Sequence, residues 1–195
     1  LVGATTITSI TDTTGVNTID LTTTGITWAA SAMISINGGT GADTLTGRAA
    51  VADTFVFAAG DAGTISSSVF DTITNFVKAD GTGPDKLDLV GSATAVTDTT
   101  TPVDVKTAVA SGSGSEDVTA SSVQGIITFS GTDAGTINRL AEWLTVAQTV
   151  VTTNGKVGAF EFSGDTYVYQ ENTGGDLLIK LTGVTTFAPA DLAAS

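Results

Sequence analysis

Short apolar clusters alternate with runs of Thr, Gly, Asn and Asp along this chain, and that rhythm predicts strands and turns more than helices. Over residues 1–36 the apolar positions Val16, Ile19, Leu21, Ile26, Met33, Ile34 and Ile36 are set apart by Gly, Asn and Thr, which reads as short strands. Ile36, Leu45 and Phe55 follow at spacings of nine and ten, the period of stacked rungs in a parallel β-helix or β-roll. The edge of a plain β-sandwich is the alternative for the first stretch. Residues 53–57 and 70–76 predict largely buried strands. Gly81, Gly83 and Pro84 mark a turn, after which Leu87 and Leu89 continue the sheet.

The second half changes character. Residues 91–100 are polar and Thr-rich and predict a loop. Thr101-Pro102 has the form of an N-cap followed by Pro at N1, so a short helix is expected over 102–110, with Val103, Lys106 and Val109 on helical spacing. The Ser/Gly run at 111–115 breaks it. A strand is expected over 125–130, carried by Ile126, Ile127 and Phe129. A helix is expected over 133–150, capped by Thr132 or Asp133, with Ile137, Leu140, Ala141, Leu144 and Ala147 on the face that covers a sheet and Trp143 at its edge. The tail predicts three antiparallel strands, Phe160-Glu161-Phe162, Thr166-Tyr167-Val168-Tyr169 and Leu177-Leu178-Ile179-Lys180-Leu181, joined by turns at 163–165 and 172–176.

The length, 195 residues, suits one domain or two small ones. The expected division is residues 1–90, the Thr-rich rungs, and residues 91–195, a helix-containing cap, forming one continuous domain. Twenty acidic against seven basic residues give a net charge of −13, which disfavours nucleic acid and anionic lipid as partners and favours cations. Simple solubility is the plainer reading of that charge. The chain has no cysteine, which fits extracellular proteins that fold without disulfides and cytosolic ones alike. It has no histidine, which removes Ser-His-Asp and Cys-His triads and H-E-x-x-H zinc sites, and no carboxylate pair stands out as a glycosidase centre. No catalytic residue is therefore expected, nor a membrane span, since no run of about 20 apolar residues occurs. The start at Leu1 without Met suggests a fragment or a processed product.

Gly38-Gly39-Thr40-Gly41-Ala42-Asp43-Thr44-Leu45-Thr46 matches every fixed position of the calcium-binding repeat G-G-x-G-x-D-x-U-x, with U a large apolar residue. An ordinary glycine-rich turn is the alternative for this segment alone. It is followed by Asp53-Thr54-Phe55-Val56-Phe57, then by Phe70-Asp71-Thr72-Ile73-Thr74-Asn75-Phe76, then by Asp85-Lys86-Leu87-Asp88-Leu89. That order resembles the end of the repeats-in-toxin (RTX) family, whose β-rolls close the tails of serralysin-type proteases, lipases and S-layer proteins exported by type I secretion. Gly164-Asp165-Thr166-Tyr167-Val168-Tyr169 and Asp176 through Val184 resemble the export domains of the same family. The resemblance covers about 37–90 and 160–195.

The resemblance implies a mostly β fold: a parallel β-roll with short helices packed on it and a C-terminal antiparallel cap. It implies Ca²⁺, with Asp43, the carbonyls of Gly39 and Gly41, and Asp53 as ligands, although Arg48 stands where a turn glycine is usual. The upstream rungs lack the motif and are expected to be metal-free. Asp71, Asp85 and Asp88 either complete a site or only cap turns. Residues 160–195 are expected to hold the export signal read by a type I secretion ABC transporter, which places the protein outside the cell or on its surface. The Thr/Ala/Gly-rich composition resembles S-layer proteins, which self-associate into a surface lattice; the tail of a secreted protease or lipase is the alternative. A carbohydrate-binding module would need exposed Trp28, Tyr167 and Tyr169.

Overall fold

Short segments of β-favouring residues between glycine turns form strands of three or four residues, and through β7 successive strands alternate between two sheets. The structure is a computed structural model that describes residues 7–23, 28, 33–62, 69–99, 103–104, 118–132, 134 and 137–192. Strands β1 (Ser9–Thr11), β3 (Ile34–Asn37), β5 (Asp53–Val56) and β7 (Lys86–Asp88) form one parallel sheet in that order. The strands between them, β2 (Thr18–Asp20), β4 (Thr44–Thr46) and β6 (Asp71–Thr74), lie parallel in a second sheet.

Two ladders of side chains follow from the register. Ile10, Ile36, Phe55 and Leu87 succeed one another in the first sheet, and Ile19, Leu45 and Ile73 in the second. Ile36, Leu45, Phe55 and Ile73 have no exposed surface, and both ladders contribute to one apolar core. Removing this surface from water, at about 25 cal/mol per Å², holds the sheets together. Ile36 and Leu45 therefore do not stack on each other. A spacing of nine carries the chain from one sheet to the other, and Phe55 is the residue that pairs with Ile36.

The second sheet then changes direction. The last parallel strand, β6, pairs with β14 (Leu177–Leu181), which is antiparallel to β13 (Asp165–Gln170), itself antiparallel to β12 (Lys156–Phe162). The far side of β12 takes two parallel neighbours in turn, β8 (Thr94–Ala95) and β11 (Ile126–Ser130). β10 (Thr119–Val123) and β9 (Val103–Asp104) complete that side, each antiparallel to the last. The helix α1 (Leu140–Val150) buries Leu144, Val146, Ala147 and Val150 against a second core containing Val118, Ile127, Phe160, Tyr167, Tyr169 and Leu178. A one-turn helix, α2 (Pro189–Leu192), follows.

The chain is thus mostly β, with a parallel and a mixed sheet, two short helices among the described residues, and C-terminal antiparallel strands as expected. Four local expectations are corrected. Val103 and Asp104 form a strand, not the first turn of a helix, because the free edge of β10 offers Thr119 and Ala120 as pairing partners; Thr101, Pro102 and residues 105–117 lie outside the described residues. The loop at 91–100 contains β8. β10 was not expected, since Thr-Ala-Ser-Ser-Val carries little apolar signal. The long helix begins at Leu140, where the Glu142 carboxylate accepts the N–H groups of Asn138 and Arg139 at 3.1 and 3.0 Å. Thr132 lies well upstream of that start, and Asp133 lies outside the described residues. The buried face is rotated from the expected stripe: Ala141 is exposed, and Val146 and Val150 point inward.

Candidate metal centre

Among the described residues, the crossings from the first sheet to the second lie on one edge of the core and the returns on the other. On the first edge, residues 12–17 stack directly on residues 38–43. Thr14 and Thr40 form a parallel bridge, and the Gly15 N–H donates to the Thr40 carbonyl at 2.8 Å. Gly39 and Gly41 have φ of +77° and +148°. A Cβ on Gly41 would stand 1.9 Å from the Gly15 carbonyl oxygen, and one on Gly39 would stand 2.6 Å from the Thr13 carbonyl carbon. The glycine spacing of the motif is therefore dictated by how closely one turn lies on the next.

That stacking sets a rank of polar groups at the beginning of each strand of the second sheet: Asn17, Asp43 and Asp71. Asp43 Oδ1 accepts the Asn17 N–H at 2.7 Å, and Asp71 Oδ1 accepts the Asp43 N–H at 2.8 Å. Both aspartates are 1% exposed. Each carboxylate ties its rung to the one before and leaves its other oxygen, Oδ2, buried with no hydrogen-bond partner. Room for the Asp43 carboxylate comes from Gly38, where a Cβ would lie 2.3 Å from Asp43 Oδ2. Burial raises Asp43 above the ordinary carboxylate range against the pull of the Asn17 N–H, and the charges of Asp12 and Asp61 push it the same way. Burial raises Asp71 to about 7, with the Asp43 N–H opposing and the charges of Asp43 and Asp61 adding to the rise. No ion pair among the described residues includes Asp43 or Asp71. Two buried oxygens on acidic groups thus lack a hydrogen-bond partner and lie near like charges, a costly arrangement that either protonation or a nearby cation would relieve.

The donors fit a hard divalent ion. They are carboxylate oxygens in a turn rich in backbone carbonyls, with no sulfur or imidazole. Among the described residues no group of three or more carboxylates could hold a metal ion by itself.

The second edge answers the same problem differently. Asp53 and Asp85, 0% and 4% exposed, are neighbours across the first sheet, and Asp85 Oδ1 accepts the Asp53 N–H at 2.7 Å. Asp85 Oδ2 accepts the Val77 N–H at 2.9 Å. Asp53 is held by Arg48, whose Nη2 and Nε donate to Oδ1 at 2.6 and 3.0 Å and whose backbone N–H donates to Oδ2 at 2.8 Å. Burial raises Asp85 to about 7, moderated by its N–H donors and by Arg48.

Of the residues singled out from the sequence, Gly39, Gly41, Asp43 and Asp71 come together on the first edge. Asp53 and Asp85 meet on the opposite edge, engaged with Arg48 and backbone donors. Asp88 is exposed on β7 and joins neither group. Asp12, Asn17 and Asp61 were not singled out. Thr14-Gly15-Val16-Asn17-Thr18-Ile19 repeats the spacing of Thr40-Gly41-Ala42-Asp43-Thr44-Leu45 with Asn for Asp, and that was the available signal. Asp61 reaches the site through the fold, its carbonyl accepting the Gly41 N–H at 3.3 Å. Tyr167 and Tyr169 are buried beneath α1, and Trp28 donates its Nε1–H to the Leu21 carbonyl at 2.7 Å, so these aromatics form no exposed platform.

No protein-family model matches the chain, and neither a curated protein nor a solved structure matches it.

Proposed function

We propose that residues 7–90 form a calcium-binding β-roll, and that the chain is the C-terminal part of an extracellular or cell-surface protein exported through a type I system. The observation that carries this reading is the buried Asp43–Asp71 pair, with two partnerless oxygens in a glycine-lined turn. The alternation of parallel strands between two sheets supports the roll, and the resemblance of residues 37–90 and 160–195 to the RTX family supports the export route. Asp43 and Asp71 would hold the ion with the carbonyls of Gly39 and Gly41. Bound calcium supplies charge neutralisation there and joins successive rungs.

The function is coupled folding. Where calcium is scarce, the acidic turns repel one another and the Gly-rich chain resists closure, which suits transport through an ABC exporter. Where calcium is millimolar, binding only to the folded form draws the equilibrium toward it. The Thr-, Ala- and Gly-rich, aromatic-poor composition supports a structural role in a surface lattice of S-layer type.

The test is a calorimetric calcium titration of the chain and of Asp43→Ala, paired with far-UV circular dichroism. Saturable binding, weakened by the substitution and accompanied by a gain of β signal, is the expected result. No heat and no spectral change up to several millimolar calcium would overturn the reading.

A further inference from the structure

The two edges carry the same device with different sources of positive charge. In each, a buried aspartate at the beginning of one strand accepts the backbone N–H of the aspartate one rung earlier, at 2.8 Å for Asp71 to Asp43 and 2.7 Å for Asp85 to Asp53. On the Asp43 edge no side-chain cation among the described residues joins the pair. On the Asp53 edge a guanidinium 8% exposed lies against a carboxylate with no exposed surface. Arg48 Nη2 also reaches the Ala52 carbonyl at 3.3 Å. The guanidinium thus sits among oxygens of the kind that hold a hard ion: one carboxylate directly, a second close enough to be shifted by its charge, and a carbonyl.

Its attachment point is also constrained. Gly47 precedes it, and a Cβ there would stand 3.1 Å from the Phe55 ring and 3.4 Å from Asp85 Oδ2. Position 47 has little room for a side chain, so the charge arrives from position 48. Arg48 and Asp53 are five residues apart, so their pair closes a short local loop, whereas the Asp43–Asp71 pair joins residues 28 apart.

We propose that the Arg48 guanidinium is a built-in cation that takes the place of a metal ion in the second rank of carboxylates, so that calcium dependence is confined to the Asp43 edge. The last clause rests on the calcium reading above; the role of Arg48 does not. One edge of the coil is then closed in any medium, and the other waits for the ion. In chelator, the Asp53 and Val77 amides stay protected from hydrogen exchange while the Asn17 and Asp43 amides exchange faster.

The deciding experiment is a calcium titration of the full chain, of two neutral variants, Arg48→Gly and Arg48→Gln, and of the same two variants with Asp53→Asn added, with melting curves in chelator and in saturating calcium. The neutral variants are expected to melt lower than the parent in chelator, to take up one more calcium ion than the parent, and to recover in calcium. Asp53→Asn should abolish the added ion. Two results would overturn the proposal: folded variants that bind no more calcium than the parent, or variants that calcium does not restore. If the parent binds no calcium but the variants do, the calcium reading of the Asp43 edge fails and the role of Arg48 stands. If the parent binds and the variants gain nothing, the reverse holds.

Discussion

Asp71 Oδ1 accepts the backbone N–H of Asp43 at 2.8 Å, although 28 residues separate them. The same carboxylate keeps a second oxygen buried without a partner. One half of the group builds the sheet, and the other half is available to an ion. Substituting Asp71 with Asn separates these roles, since the amide oxygen can still accept the Asp43 N–H. In chelator, Asp71→Asn should melt above the parent, because a buried, repelled charge is gone. Its calcium affinity should fall roughly tenfold or more, about 1.4 kcal/mol. Melting curves in both media, with a calcium titration, check this; a lower melting point in chelator would contradict it.

Gly41→Ala should damage the stacked turns far more than its single methyl suggests. The new Cβ would meet the Gly15 carbonyl oxygen at 1.9 Å, at a φ of +148°. The rungs must separate or the turn must rearrange, at a cost of roughly 2–4 kcal/mol. Urea unfolding with and without calcium measures the loss. Gly164→Ala, in the open turn between β12 and β13, meets nothing within 4 Å and should show only the smaller cost of its backbone conformation.

Stability in chelator should fall as pH rises. Asp85 holds a folded value of about 7, through burial, against an ordinary 3.8. Asp71 does the same. Between about 4 and 7 the folded state therefore binds protons that the unfolded chain has released, and folding weakens across that window and levels off above it. Asp165 acts in the opposite sense: burial pushes it up, but hydrogen bonds from Lys180 and the Gly183 N–H hold it below 3.8. Its contribution is present above 3.8 and is lost in stronger acid. The unfolding free energy from urea titration in chelator should be higher at pH 5 than at pH 8, by roughly 1–3 kcal/mol. Saturating calcium should shrink the difference.

Trp143 gives a test confined to the second core. Its ring stacks on Phe160 with centroids 5.2 Å apart and lies 4.1 Å from Phe129, while its buried Nε1–H has no partner. Trp143→Phe keeps an aromatic surface and removes an unsatisfied donor, so it should cost no more than about 1 kcal/mol. Trp143→Ala leaves a cavity and should cost about 3–5 kcal/mol. Neither should change the amount of calcium bound, because the helix packs against β10 and β12.

The sequence exposed those features that local sterics decide. The Gly39, Gly41 and Asp43 spacing was legible because a close turn admits few other residues. The tail strands were legible because two short turns force their alternation. What depended on distant partners was hidden. Asp12 and Asn17 join the site because their turn stacks on another 26 residues later, a register that no local pattern carries. Thr101-Pro102 reads as a helix start, yet Val103 pairs with Ala120 because an open strand edge outweighs a weak capping signal. Arg48 departs from the glycine repeat, and its contact with Asp53 is one that no local pattern announces.

The parallel pairing of β6 with β14 brings Asp71 beside Ile179 and Ile73 beside Leu181. Such a junction has high contact order. During synthesis the strand bearing Asp71 must wait, one flank bare, until more than a hundred further residues have been added. An unfinished chain therefore leaves that edge of β6 without its partner, beside Asp43 and Asp71. Mutual repulsion among those aspartates at low calcium would keep nascent chains from pairing with one another through that edge.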